Sequence, residues 1–372
     1  MTRRLPITRR LPITRRHLLA AAAAWPVAGQ SLAAMPNPSV ADAARTVVAD
    51  GTPPAVGIIE IVEAGLRSPM VFGVKAAGSP GLVRIGDRWH IGSNAKSMTA
   101  TMIARLVERG ALAWTAPLEA MLPDVEMRDE YREVTLPDLL SHRAGFERNS
   151  AAGLARMPDN DIRTGLDRRR DYIAAALMEP PAGPVAVGEG MYSNTGFVVA
   201  GAVAERVTGQ TFEALMRQEV FEPLGMGPVG FGGTGVGEIA GHRAGLPVYG
   251  AEGDNPDFLR PAGGLHLSLE DWGRFVLDQM RGQRGVGALL SPGGYRFLHT
   301  PQGESQNGLG WGLEPAPDGR PIWSHNGSNG RWFGTVAVLP EDGRAALVVA
   351  NAAGEEVERA VNRLVVQSLG LV

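Results

Sequence analysis

Apolar and polar positions change their period three times along the chain. Residues 55–63, Ala-Val-Gly-Ile-Ile-Glu-Ile-Val-Glu, form a β-branched, apolar run that predicts a strand, and residues 69–75 give a second. Loops rich in Gly and Pro separate them. From 93 to 109 the period lengthens to that of a helix: Ala95, Met98, Met102, Leu106 and Val107 fall on one stripe, and Gly110 suits its C-terminal stop. Between about 111 and 300, helical stretches recur at 136–140, 171–178, 195–207, 211–220 and 269–280, while 228–254 is a glycine-rich loop with little periodicity. Strand character returns at 311–314, 321–324, 334–339 and 344–350. The last two flank Pro340-Glu341-Asp342-Gly343, a good hairpin turn. Residues 355–368 close the chain as an amphipathic helix. Strands at both ends with helices between them predict an α/β layer made from residues 45–110 and 300–372, interrupted by a helical region over 111–299.

Composition narrows the class. At 44% hydrophobic and 20% charged residues, the 372-residue chain has material for a sizeable core, in one large domain or two smaller ones. A net charge of −3, with no basic block beyond the N-terminus, gives nucleic acid nothing to hold. The lack of cysteine removes disulfides, thiolate metal sites and a Cys nucleophile together. At the N-terminus Arg15-Arg16 precede a short apolar run and then the small residues Ser31-Leu32-Ala33-Ala34. That order predicts an export signal over residues 1–34, of twin-arginine type, cleaved near Ala33 or Ala34, with periplasmic delivery. The apolar run is too short to predict a membrane span. The alternative is a frayed, Ala-rich helix. Upstream, Thr-Arg-Arg-Leu-Pro-Ile occurs twice, at 2–7 and 8–13, as a small duplication rather than a structural repeat.

Three short motifs carry candidate chemistry. Ser93-Asn94-Ala95-Lys96 stands at a predicted helix start, where residues i and i+3 share a face, so Ser93 and Lys96 can meet. A serine hydroxyl needs a nearby base to become a nucleophile. A lysine can be that base when burial or a neighbouring cation lowers its pKa. The helix start adds N–H donors for a developing oxyanion. Ser-x-x-Lys by itself is common on exposed helices. Tyr192-Ser193-Asn194 precedes the next apolar helix: Ser193 or Asn194 can cap it, while Tyr192 can shuttle protons and Asn194 can bond an amine or a carbonyl. His325-Asn326-Gly327-Ser328 is either a polar loop between strands or a place where a backbone passes close to substrate.

Taken in this order, Ser-x-x-Lys, Tyr-x-Asn and His-x-Gly before a C-terminal hairpin resemble the serine β-lactamase and penicillin-recognising hydrolase family, in its class C β-lactamase and esterase branch. Leu139-Leu140-Ser141-His142-Arg143-Ala144-Gly145, Phe221-Glu222-Pro223-Leu224-Gly225-Met226, Ala262-Gly263-Gly264-Leu265 and Gly308-Leu309-Gly310-Trp311-Gly312 fit as well, so the resemblance covers residues 45 to 370. It implies an α+β, β-lactamase/transpeptidase-like fold: an antiparallel sheet from both chain ends, flanked by helices, with the active site between it and the helical region. It implies acylation of Ser93, proton traffic shared by Lys96 and Tyr192 with the base left open, orientation of lysine and substrate by Asn194, and an oxyanion hole from the N–H groups of Ser93 and Ser328 beside Gly327 and His325. No metal or organic cofactor is implied.

The third motif departs from the pattern. His325 stands where penicillin-recognising members often have Lys, and an imidazole is mostly neutral at pH 7. Members with His there resemble esterases, D-peptidases and D-aminopeptidases. Arg331 could restore a cation, and Arg143 replaces a Thr-rich pattern with an expected structural role. His142 and His266 read as structural hydrogen-bonders, His90 as part of the entering strand, and Asp124, Asp138 and Glu270 as helix-start or surface acids. No His/Asp/Glu cluster has metal-ligand spacing in the sequence. Three functions stand: an esterase-like or amidase-like hydrolase of a small substrate, a β-lactamase or DD-carboxypeptidase with the same mechanism, and an inactive peptidoglycan-binding or sensor protein. Oligomeric state is not readable from the sequence.

Overall fold

A computed structural model describes residues 39–371 apart from 52, 159–160, 228 and 317. The expected export signal, 1–34, lies outside the described residues. The strands are β1 (Ala55–Val62), β2 (Gly65–Leu66), β3 (Met70–Gly73), β4 (Trp89–His90), β5 (Gly230–Phe231), β6 (Gly241–Arg243), β7 (Leu246–Val248), β8 (Leu265–Leu267), β9 (Trp323–Ser328), β10 (Phe333–Leu339) and β11 (Arg344–Ala350). Six helices of ten or more residues are described: α1 (Val40–Ala49), α2 (Ala95–Glu108), α3 (Gly165–Ala176), α4 (Asn194–Thr208), α5 (Leu269–Gly282) and α6 (Glu355–Leu369).

The main sheet runs β2-β1-β11-β10-β9, with β3 also on β1, and every pairing is antiparallel. Its two central strands join the chain's ends: Val56 lies opposite Ala350 and Val62 opposite Arg344. The expected hairpin joins β10 to β11. Both faces of β1, β10 and β11 are buried, which explains why these three strands are nearly continuously apolar rather than alternating. Val56, Ile58, Ala337, Ala346 and Val348 face one way, against Ala44 of α1 and Val357, Val361 and Leu364 of α6. Ile59, Ile61, Val336, Val338, Leu347 and Val349 face the other way, against the helical core around Met98, Met102, Trp272 and Phe275.

Several expected elements shift, each for a local reason. Gly92–Asn94 is a 3₁₀ turn, so α2 begins at Ala95 rather than 93. Helix α3 starts at Gly165, six residues before the expected 171, because Thr164 caps it by accepting from Asp167 N–H. Residues 212–216 are α-helical and 217–221 widen into a π turn. The 228–254 segment holds three short strands and a helical turn at Gly250–Gly253. The 311–314 stretch supplies only bridges from Gly312, and the neighbouring strand runs over 323–328 rather than 321–324. The third motif therefore lies in a strand, not in a loop: pairing with β10 satisfies its backbone, and Asn326 gains a cross-strand bond from Thr335 Oγ1 at 2.9 Å. Helices α1 and Pro292–Leu298 carry no expectation from the pattern.

Candidate active site

Ser93 sits in the 3₁₀ turn leading into α2, and Lys96 lies in the first turn of that helix, wholly buried. The i, i+3 spacing places Lys96 Nζ 3.1 Å from Ser93 Oγ. The same Nζ donates to Asn194 Oδ1 at 2.8 Å and to Ala262 O at 2.6 Å. An ammonium has three protons, and here it has three acceptors from three parts of the chain.

Asn194 and Tyr192 arrive from the start of α4. Ser193 caps that helix, accepting from Gly196 N–H at 3.2 Å while its hydroxyl donates to Glu147 O at 2.8 Å. The cap fixes its two neighbours: Asn194 turns toward Lys96 and donates to Asn149 Oδ1 at 3.0 Å, and Tyr192 places its ring 5.0 Å from Lys96 Nζ. His142, expected to be structural, accepts from Ser193 N–H at 3.1 Å and packs its ring 4.5 Å from that of Tyr192. The guanidinium of exposed Arg148 lies 4.8 Å from the Tyr192 ring. Neither Arg148 nor Asn149 is visible from the motifs; their signal is only that they follow the Ser-His-Arg-Ala-Gly loop.

The electrostatics follow from burial and proximity. Desolvation pushes the Lys96 ammonium below its ordinary pKa; Tyr192 opposes that shift and Arg148 adds to it. Burial raises the Tyr192 phenol, but the Lys96 charge, bonds to Lys96 and Ser93, and Arg148 outweigh it and leave the pKa lowered. Both groups of the pair thus have pKa values lowered from those in water.

Strand β9 closes the other side. His325 lies opposite Val336 and Gly327 opposite Gly334, so both face the helical core with Val336, while Asn326 faces Thr335 on the other side. His325 is half-buried, its Nδ1 2.7 Å from Asn326 O, and desolvation with the Lys96 charge lowers its pKa, keeping the ring neutral. Gly327 and Gly92 touch backbone to backbone. A Cβ on Gly327 would come within 2.0 Å of Ile91 O and 2.8 Å of Ser93 N, and one on Gly92, at φ 55°, within 2.5 Å of Ser328 N. The structure thereby brings the N–H groups of Ser93 and Ser328 to one place. Ser93, Lys96, Tyr192, Asn194, His325, Gly327 and Ser328 share one site.

Other singled-out residues lie apart from it. Arg331 Nη1 donates to Asn329 O at 2.9 Å. Arg143 bonds Ala186 O and pairs with Asp138 at 3.5 Å, and Asp138 forms a capping box with Thr135. Asp124 pairs with Arg206, and Glu270 is in the first turn of α5. One grouping lies beyond the reach of sequence spacing, and one expectation, that of His266 as a structural hydrogen-bonder, needs correction. The fold assembles His90, Asp254 and His266, distant in sequence, so that one ligand atom of each lies within 4.8 Å of the others. And neither ring nitrogen of His266 has a hydrogen-bond partner among the described residues, although its ring lies 4.5 Å from that of His90.

Comparison with known proteins gives the family and the fold. The profile of the β-lactamase family matches residues 39–370. Penicillin-binding protein 4 of Amycolatopsis lactamdurans is 26% identical over 328 residues, covering 80% of this chain and 81% of that one. Esterase EstB of Burkholderia gladioli is 32% identical over 163 residues, covering 42% of this chain and 41% of that protein. A D-stereospecific amidohydrolase from Streptomyces has the same fold, with a TM-score of 0.69 at 22% identity over 87% of this chain and 96% of that one. Since the profile spans nearly the whole described chain, the protein belongs to the β-lactamase family of serine hydrolases.

Proposed function

We propose that the chain hydrolyses small esters or amides, D-amino-acid amides among them, through an acyl-enzyme on Ser93. The observation that carries this is the buried Lys96 ammonium, bonded at once to Ser93 Oγ and Asn194 Oδ1 beside the depressed phenol of Tyr192. In this reading the Lys96–Tyr192 pair acts when it is one proton short, and it takes up the Ser93 hydroxyl proton as Oγ attacks the acyl carbon. The oxyanion faces the N–H groups of Ser93 and Ser328. The tetrahedral species collapses, the alcohol or amine leaves with a proton from the pair, and water releases the acyl group by the same steps. The chemistry calls for no metal or organic cofactor.

The neutral ring of His325 supports the choice of substrate. It offers hydrogen bonds but no permanent cation for the carboxylate of a β-lactam. The relatives point both ways, since one is named an esterase and another a penicillin-binding protein. We also propose that residues 1–34 are an export leader, a reading supported by the sequence alone. Among the described residues no helix is long and apolar enough to cross a membrane.

Mass spectrometry of the intact protein tests the reading. A fluorophosphonate adds to Ser93, p-nitrophenyl acetate turns over, and Ser93→Ala abolishes both. Turnover retained in Ser93→Ala sinks the assignment. A penicillin adduct on Ser93 without ester turnover moves the substrate class to β-lactams and cell-wall peptides.

A further inference from the structure

Behind the nucleophile, His90 ends β4 two residues before Gly92 and is fully buried. Its Nδ1 accepts the Gly92 N–H at 3.0 Å. Nδ1 therefore carries a lone pair, and the ring proton sits on Nε2, which donates to Asp254 Oδ1 at 2.7 Å. The same carboxylate oxygen accepts the N–H of Asn255 at 2.7 Å. Burial raises the Asp254 pKa, but the hydrogen bonds from His90 and from the Asn255 N–H oppose it, and the pKa is left lowered.

The segment around Asp254 bonds to three of the parts of the chain that surround Ser93. Asn255 Nδ2 donates to Gly263 O at 2.5 Å, next to the Ala262 carbonyl that receives Lys96. Asn329 Nδ2, one residue past Ser328, donates to Gly253 O at 3.1 Å. One tripeptide, Gly253–Asn255, thus joins the turn before the nucleophile, the lysine anchor and the end of β9.

The nearby imidazole of His266, 4.5 Å from that of His90, completes a set of three groups that could in principle hold a cation. The hydrogen-bond directions argue otherwise. A metal on His90 Nε2 would drive the ring proton to Nδ1, against the N–H of Gly92.

We propose that Asp254, acting through His90, is a positioning residue that holds the Gly92–Ser93 backbone in the geometry acyl transfer requires. The inference rests on the reading of Ser93 as the acylated group. Asp254 orients His90, His90 holds the Gly92 amide, and that amide leads directly to the N–H and Oγ of Ser93. Oxyanion donors act only within a few tenths of an ångström of their place, so a small slip of this turn slows the reaction without weakening substrate binding.

Two replacements of His90 separate this role from a structural one. In His90→Asn the amide oxygen stands where Nδ1 was and still accepts from Gly92, but Asp254 loses its donor. In His90→Gln the amide reaches the place of Nε2 and still donates to Asp254, but Gly92 loses its acceptor. Fluorophosphonate labelling rates, kcat and KM for p-nitrophenyl acetate, and Tm are measured for both, for Asp254→Asn and for the double variant with His90→Gln. His90→Asn, with a buried carboxylate unpaired, has the lower Tm but keeps acylation within about 10-fold of wild type. His90→Gln has the higher Tm but loses roughly 100-fold in kcat at unchanged KM. Asp254→Asn slows acylation at unchanged KM and adds nothing further to His90→Gln. Rates that simply follow Tm, or Asp254→Asn at the wild-type rate, overturn the proposal. A wild-type protein unlabelled at Ser93 overturns the acyl-enzyme reading and this inference with it, whereas a labelled wild type whose variants follow Tm overturns this inference alone.

Discussion

Ser93 is enclosed by two walls of different construction. On one side three side chains converge, Lys96, Tyr192 and Asn194, each held by a bond or a packed ring. On the other side the enclosure is backbone, where Gly92 and Gly327 press together with no room for a Cβ between them. In the proposed reaction the first wall supplies groups that move protons, and the second supplies fixed dipoles. They therefore fail in opposite ways. Removing atoms damages the side-chain wall, and adding atoms damages the backbone wall.

The largest effect is expected on the first wall. Lys96→Ala removes the amine that bonds Ser93 and should lower kcat/KM for a p-nitrophenyl ester by roughly 1,000-fold. Tyr192→Phe keeps the ring against His142 and loses only the hydroxyl, with an expected fall of roughly 100-fold. If the two act as one unit, the double variant is hardly worse than Lys96→Ala. Full activity in Tyr192→Phe would remove the phenol from the proton path and leave Lys96 as the base.

The second wall is tested by addition. Gly327→Ala places a methyl 2.0 Å from Ile91 O, which forces the strand from the nucleophile turn. The expected result is a lowered Tm together with a loss of about 100-fold in kcat, the scale of one oxyanion donor. Ser328→Ala is the control. It deletes an exposed hydroxyl but keeps the backbone N–H, so activity should stay within about 2-fold of wild type, inside the range of surface substitutions. A strong loss in Ser328→Ala would mean that the side chain, not the amide, faces the substrate.

The two walls also differ in how far the sequence announces them. Side-chain chemistry is written in residue types at fixed spacings, so Ser93, Lys96, Tyr192 and Asn194 stand out, and the fold places them within reach of one another. The apolar strands at 55–62 and 344–350 are equally plain, because a sheet buried on both faces needs a continuous run of β-branched residues. The backbone wall leaves a fainter trace. Gly327 marks a close approach, but what it approaches is set by the antiparallel register of β9, which a six-residue polar run does not reveal. Asp254 and His90 leave no trace at all. They are 164 residues apart and lie in stretches without periodicity, and only the packing of the 250–264 segment under the nucleophile turn brings them together. Arg148 is hidden for the same reason: its contact with Tyr192 depends on how the loop after Gly145 folds back over α4.

Arg148 gives the smallest and most diagnostic test of the first wall. Its guanidinium lowers the pKa of both Lys96 and Tyr192, as the weakest contribution in each case. A nearby positive charge disfavours a protonated lysine and favours a phenolate, so both shifts have the same sign. Arg148→Ala therefore raises both pKa values. If acylation needs the pair to have lost a proton, the rising limb of kcat/KM against pH moves to higher pH in this variant, while the high-pH plateau is unchanged. Because Arg148 is exposed, salt screens its charge, and raising ionic strength should move the wild-type limb the same way and narrow the gap between the two proteins. A variant whose limb stays in place while its plateau drops would transfer Arg148 from the electrostatics of the pair to direct contact with the substrate. The side-chain wall would then extend one residue further than Lys96, Tyr192 and Asn194.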